Sequence, residues 1–478
     1  MSIIMNREFS LIKNTIIISI GKICTQFISF FLLPLYTSLL TTEEYGIVDL
    51  LNTLVSLLLP IITFQIEQGV FRELIDNRED IFEIKKIIST SIFSVLLQCI
   101  LFTLIFLIIL PFINNQYKIY LFGNVIITVF ASLFLQISRG LGENIIYSFA
   151  SFISSFITIM GNIIFLVFFD MKVEGMLLST FLGQFSCILI IFYFLRLYKK
   201  IDYKMFKKTI YKKILRYSLP LVPNAISWWV FTASDRVIVS MFLGASSNGL
   251  LSASSKFSSI IVMVFNILNI SWTESISKNI NDSDAKDYFN KMFNLFIRFF
   301  LSISLIIIAS MNIIYPIMVN SNYIEGIKLT PFLVLASFFN IYLSLIGSIY
   351  IAKKNTKAIA SISFISAILN IIIHLILINF IGLYAAPISS LIAYLILIFI
   401  RTKDVKIRYF KIKLNRINYF SILLLIPITL FIFYLGNNLI NISYLCILLI
   451  KIFILNFKYI LLLKTLFCKL FKKVISKN

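Results

Sequence analysis

Apolar residues in this chain come in long runs, and short clusters of charged residues separate them. A helix that crosses a bilayer needs about 20 mostly apolar residues. Fourteen runs meet that requirement, at about 14–39, 46–71, 87–112, 118–138, 145–169, 175–195, 217–243, 249–272, 292–319, 329–352, 357–380, 383–400, 418–436 and 441–463. The first run carries Lys22 and continues to full spanning length, so it reads as a helix and not as a cleavable leader.

Composition agrees with this pattern. Of the 478 residues, 59% are hydrophobic and 13% charged, and the mean hydropathy is +0.97. Soluble domains carry about 25% charged residues, and water does not tolerate the apolar surface this chain would expose. The chain therefore reads as an integral membrane protein.

Charge then sets an orientation. The chain has 43 Lys and Arg against 21 Asp and Glu, a formal net charge of +22. Taking the N-terminal side as cytoplasmic, 34 of the cations fall in loops and tails on that side and only 3 (Lys118, Lys172 and Lys328) on the other. Positive residues are retained on the cytoplasmic side of membrane proteins, so both termini are expected in the cytoplasm. The basic surplus then serves an anionic leaflet surface, and no nucleic-acid partner is expected. The outer loops are short, which leaves no room for an external domain. The largest inner segment, 196–216, repeats Leu197, Ile201, Met205, Ile210 and Ile214 among lysines and predicts an amphipathic helix on the membrane surface.

Internal similarity divides the chain further. Leu11–Thr15, entering span 1, resembles Ile214–Ser218, entering span 7. Tyr45-Gly46-Ile47, entering span 2, resembles Asn248-Gly249-Leu250, entering span 8, at the same offset of 203 residues. Six spans per repeat is an even number, so the repeats are parallel, related by an axis along the membrane normal. The expected architecture is all-α and polytopic, with about fourteen transmembrane helices. It comprises an N-terminal lobe (1–195), a basic linker (196–216), a C-terminal lobe (217–400), and an appendage with a basic tail (401–478).

Several chemistries are excluded. The five cysteines have no CxxC or metal-ligand spacing, and the one histidine, His374, argues against a histidine metal site or a Ser/His/Asp triad. No phosphate-binding GxxxxGK[ST] loop occurs. Neither a cofactor nor a covalent reaction is expected.

Charges inside spans are costly unless they face a cavity or a partner. Six cations lie there: Lys22, Arg236, Lys256, Arg298, Lys451 and Lys458. Lys22, Lys256, Arg298 and Arg236 are the candidates for contact with an anionic ligand such as a pyrophosphate, which lysine binds as a point charge. Asp235 and Glu67 are the candidate ion-coupling carboxylates. Asp235 equally suits a bridge between helices, and His374 a hydrogen bond to a neighbouring helix. Pro34, Pro60, Pro220 and Pro223 fall in spans 1, 2 and 7 and predict kinks.

Residues 11–54 (LIKNTIIISIGKICTQFISFFLLPLYTSLLTTEEYGIVDLLNTL) resemble the N-terminal region of bacterial polysaccharide-biosynthesis membrane proteins. These are lipid-linked oligosaccharide flippases of the multidrug/oligosaccharidyl-lipid/polysaccharide exporter superfamily. Residues 215–244, 246–261 and 352–394 resemble that family's second lobe, as does Trp272-Thr-Glu. The resemblance covers most of 8–400. It implies a V-shaped twelve-helix core with two extra helices. It also implies movement of undecaprenyl-pyrophosphate-linked glycan to the outer leaflet, with membrane lipids and other polysaccharide-assembly proteins as partners. Cations on helices 1 and 8 of relatives line the central cavity, which implies that role for Lys22 and Lys256. Relatives with further arginines in helices 1 and 2 are matched here only by Arg72. A multidrug exporter of the same superfamily would expect deep acidic residues. A membrane glycosyltransferase or polymerase would expect a large outer loop.

Overall fold

In a bilayer a backbone amide finds no water, so a spanning segment must satisfy its own hydrogen bonds, and a helix does so locally. The computed structural model describes residues 30–112, 115–280, 282–353, 355–413, 424–436 and 439–453. Among them every regular element is helical. In chain order these are α1 (Leu33–Leu39), α2 (Thr42–Thr63), α3 (Ile66–Asp76), α4 (Ile81–Ile109), α5 (Lys118–Gly140), α6 (Asn144–Ile163), α7 (Lys172–Phe194) and α8 (Lys208–Ser218). Then come α9 (222–243) and α10 (245–279), two arms of one helical stretch that parts at Gly244, where φ is 84°. They are followed by α11 (Ala285–Met318), α12 (Thr330–Ala352), α13 (Thr356–Ile381), α14 (Ala385–Arg408), α15 (Leu425–Leu435) and α16 (Leu439–Phe453).

Nine stretches among the described residues are long and apolar enough to cross a membrane. Two of these, Lys208–Ser277 and Phe364–Arg408, each contain two spans joined at Gly244 and Gly382, which makes eleven. The shorter apolar helices α15 and α16 fall in the expected spans 13 and 14, and α1 falls in the described end of the first. The chain is an all-α, multi-pass membrane protein. On α4, Leu97, Ile100, Leu101, Leu104 and Ile108 form an exposed apolar stripe at helical spacing, the surface expected to meet lipid.

The chain divides into two compact units, 1–253 with 360–393 and 254–359 with 394–478. The core of the first is built by Ile66 and Val70 of α3, Ile88 and Val95 of α4, Val129 and Ile137 of α5, and Ile191 of α7, all buried. In the second, aromatic pairs lace α10 to α11: Phe257 to Tyr315, Phe265 to Phe300, and Trp272 to Phe296 and Phe289. Tyr315 donates to the carbonyl of Tyr323 at 3.1 Å. Near the end of α14, Asp404 accepts from the Tyr350 hydroxyl at 2.8 Å and from Arg408 at 2.6 Å.

Within the first unit, the start of α2 crosses the start of α10 with almost no side chain between them. A Cβ placed on Gly46 would lie 1.9 Å from the Ala245 carbonyl oxygen, and one on Gly249 would lie 1.9 Å from that of Thr42. Residues 42 and 46 correspond to 245 and 249 at the 203-residue repeat offset. The contact is therefore reciprocal, as contacts across a twofold axis are. Asn248 Nδ2 donates to the Gly46 carbonyl at 2.9 Å, and the Thr42 and Ser246 hydroxyls meet at 2.6 Å. Thr41 and Glu44 form a capping box that starts α2 at this crossing.

Local structure departs from the sequence expectation in two places. Span 2 is not one helix: it breaks at Phe64 and Gln65, whose φ values of 49° and 58° are left-handed. Pro60 lies inside α2, where its missing amide leaves the Ser56 carbonyl without a helical partner, and the break comes four residues later. At Pro34 the helical path is interrupted by a turn at Leu32, and at Pro220 and Pro223 by the 3-10 turn Leu219–Leu221, so the expected break falls at or just before each proline, which stands in a first turn. Finally, 196–216 is not a continuous amphipathic helix. Arg196 turns left-handed (φ 49°), two short 3-10 turns follow, and only α8 is a full helix. Ser89 and Thr90 on α4 hold the intervening backbone: Asp202 N donates to Ser89 Oγ at 3.0 Å and Lys207 N to Thr90 Oγ1 at 3.1 Å. Leu197 and Ile214 are thereby buried in the protein core.

The crossing predicts that Gly46→Val or Gly249→Val destabilises the purified protein by about 3 kcal/mol or more, since backbone atoms cannot yield to a side chain. The check is thermal unfolding in detergent. Gly123→Ala, whose added Cβ makes only ordinary contact with Phe181 at 3.7 Å, is expected to leave the profile unchanged.

Candidate functional site

Neighbouring residues on a helix point in different directions, and α9 uses this at Asp235-Arg236. Arg236 turns to α2, where its Nε lies 2.7 Å from Asp49 Oδ2. Asp235 turns to α13 and α14. There its Oδ1 lies 2.7 Å from His374 Nδ1, and its Oδ2 accepts from Ser390 Oγ at 3.0 Å. Further along α9, Trp229 Nε1 donates to the Thr53 carbonyl at 3.1 Å and to Ser56 Oγ at 3.0 Å. One helix is thus tied to three others by polar contacts within the first unit, beside the glycine crossing.

Because a carboxylate accepts at Nδ1, that nitrogen carries the imidazole hydrogen. His374 is fully buried, and its Nε2 has no hydrogen-bond partner among the described residues. Asp235, His374 and Ser390 do not form a nucleophilic triad, because the serine is bonded to the aspartate and not to the histidine. Among the described residues no group of three His, Cys, Asp or Glu converges as a metal site.

The other candidates lie apart. Glu67, in the first turn of α3 just past the helix break, is buried, and its Oε2 has no hydrogen-bond partner among the described residues. In the second unit, Lys256 is half-buried on α10 and Arg298 buried on α11. The aromatic pairs between α10 and α11 put Lys256 level with Tyr315 and Arg298 beside the stretch 265–272. At 1.5 Å per residue the two cations are then about 20 Å or more apart along the helices, so they do not share one pocket. Lys451 is exposed on α16. Lys22 and Lys458 lie outside the described residues.

Two charged partners were not singled out from the sequence. Asp49 is a carboxylate inside an apolar run, the same signal that marked Asp235, and Arg236 needs such a partner. Arg401 follows directly on the last apolar residue of span 12 and read as loop, yet it is buried and donates to the Leu343 carbonyl at 3.2 Å. No one-dimensional pattern marks it, because α14 continues eight residues past the apolar run.

The polysaccharide biosynthesis protein family matches residues 11–273, more than half of the chain. An uncharacterized membrane protein of Methanocaldococcus jannaschii is 26% identical over 416 residues, 80% of this chain and 95% of its own. Among solved structures, the lipid II flippase MurJ in an inward closed conformation superposes with a TM-score of 0.71 at 18% identity, covering 93% of this chain and 100% of that one. An inward-facing MATE multidrug-resistance transporter of the MOP superfamily gives 0.64 at 12% identity, covering 80% of this chain and 95% of its own. At these identities the structural matches establish a shared fold.

The Asp49–Arg236 pair lies between α2 and α9 with both side chains less than one-third exposed. A double-mutant cycle with Asp49→Asn and Arg236→Gln is expected to give a coupling of about 1–3 kcal/mol in thermal or denaturant unfolding. Asp235→Leu, which strips His374 and Ser390 of their shared partner, is expected to cost about 3 kcal/mol, and Asp235→Asn less.

Proposed function

Because the chain belongs to the polysaccharide biosynthesis protein family, we propose that it is a flippase for undecaprenyl-pyrophosphate-linked oligosaccharide units. It moves them across the bacterial cytoplasmic membrane for surface polysaccharide synthesis. The observation that carries this reading is the family assignment of a chain whose spans hold unusually many cations. The pyrophosphate needs cationic partners inside the membrane, and Lys22, Lys256, Arg298 and Arg236 supply them. The glycan crosses with it while the polyprenyl tail stays in lipid. Separation of Lys256 and Arg298 along α10 and α11 suits successive contacts with an anion that travels, since a single tight site would hold it back. No covalent step is involved, both termini face the cytoplasm, and the two lobes are residues 1–195 and 217–400.

Alternating access requires a contact that opens. The α2–α10 crossing is suited to this: it is held by a few hydrogen bonds and the Asp49–Arg236 ion pair beside it. Asp235, adjacent to Arg236, is the carboxylate we assign to the coupling ion, and Glu67 at the α3 break is a second. A multidrug exporter would share the MATE-like fold, but the cationic spans favour an anionic cargo.

Two measurements test this. With Lys22→Ala and Lys256→Ala expressed at normal levels, surface glycan is expected to fall several-fold, and lipid-linked units to accumulate on the cytoplasmic side. Unchanged glycan would remove these lysines from the site. In a background without native cysteines, Thr42→Cys with Ser246→Cys is expected to crosslink on oxidation and arrest transport until a reductant is added. Full transport by the crosslinked protein would show that the crossing does not open.

A further inference from the structure

At the basic end of the first unit, a cavity of about 450 Å³ lies between the start of α4, the start of α6, the end of α7 and the strap that follows it. Ile84 and Leu195 form a buried apolar floor. Four cations, Lys85, Arg196, Lys199 and Lys200, line it against one carboxylate, Glu143. None of the four forms an ion pair among the described residues; Lys199 only approaches the ring of neighbouring Tyr198, at 5.9 Å.

The cations are held in place by the fold. The left-handed turn at Arg196 directs the strap across α4, and Ser89 Oγ secures it by donating to the Lys200 carbonyl at 3.2 Å and accepting from Asp202 N at 3.0 Å. Burial pulls the Lys200 ammonium below its ordinary pKa, and the Glu143 carboxylate only partly opposes this. An anion in the cavity would supply the missing counter-charge. At the rim of the cavity, Ile81 and Phe194 are strongly exposed (71% and 56%), and α7 continues this apolar surface through exposed Leu189 and Tyr193.

We propose that this cavity binds the phosphodiester headgroup of an anionic glycerophospholipid from the facing leaflet, with the acyl chains along Ile81 and Phe194. Basic pockets beside apolar helix surfaces recognise such headgroups by charge. The volume admits a glycerol phosphate, and none of Arg236, Lys256 and Arg298, the described cations assigned to the cargo, lines it. The assignment uses the orientation given by the cation bias and does not depend on which cargo is transported.

The test is native mass spectrometry of the full-length purified protein with phosphatidylglycerol, phosphatidylcholine, glycerol 1-phosphate and inorganic phosphate. Phosphatidylglycerol is expected to be retained well above phosphatidylcholine. Replacing Lys85, Arg196, Lys199 and Lys200 together by Gln is expected to weaken retention by about tenfold or more. Lys208→Gln, Lys212→Gln and Arg216→Gln on α8 are expected to change it little, and Glu143→Gln to strengthen it. Should the quadruple variant fail to fold, Arg196→Gln alone against Glu143→Gln carries the same opposite signs. Three outcomes would overturn the proposal: equal loss in the α8 variant, which means diffuse surface attraction; equal retention of phosphatidylcholine; or binding of glycerol 1-phosphate or inorganic phosphate as tight as that of the lipid, which means a soluble phosphate ligand.

Discussion

The burial of peptide groups without water is the constraint from which the rest of this structure follows. It makes every described regular element a helix and leaves local devices for changing direction: positive-φ residues at 64, 65, 142, 170, 172, 196, 244 and 382, and prolines in first turns. It also makes each charge inside a span a problem that another group must solve. Arg236 is met by Asp49, Asp235 by His374 and Ser390, and Arg401 by a backbone carbonyl. Polar contacts between spans are therefore concentrated at a few places, and those places link helices distant in sequence.

The closest of these links is the Gly46–Gly249 crossing. Two repeats that descend from a common pattern are expected to meet at equivalent positions, and here backbone touches backbone at residues 203 apart in both directions. Such a contact relies on the absence of side chains more than on any strong attraction, so the few hydrogen bonds and the ion pair beside it carry much of its specificity. That balance suits the opening proposed for this crossing, which would form and break the contact at modest cost.

The basic segment after α7 shows the opposite behaviour. Its apolar residues were spaced as for a surface helix, but the serine and threonine of α4 compete for its backbone, which forms two short 3-10 turns before α8. The consequence is a strap instead of a float: Leu197 and Ile214 enter the core, and Lys199 and Lys200 are presented at a cavity.

Much of the architecture was legible in one dimension. The number and approximate limits of the spans, the charge asymmetry and the 203-residue repeat follow from hydropathy, cation bias and local similarity, which act over windows of a few residues. The intramembrane charges at 67, 235, 236, 256 and 298 were legible for the same reason: an ionised side chain in an apolar run stands out. Their partners were not. That adjacent Asp235 and Arg236 serve different helices, that Asp49 answers Arg236, and that Lys256 and Arg298 lie at different levels depend on how helices far apart in sequence rotate and stack. Only tertiary packing determines those rotations, because a span surrounded by lipid on one side and protein on the other is apolar on both.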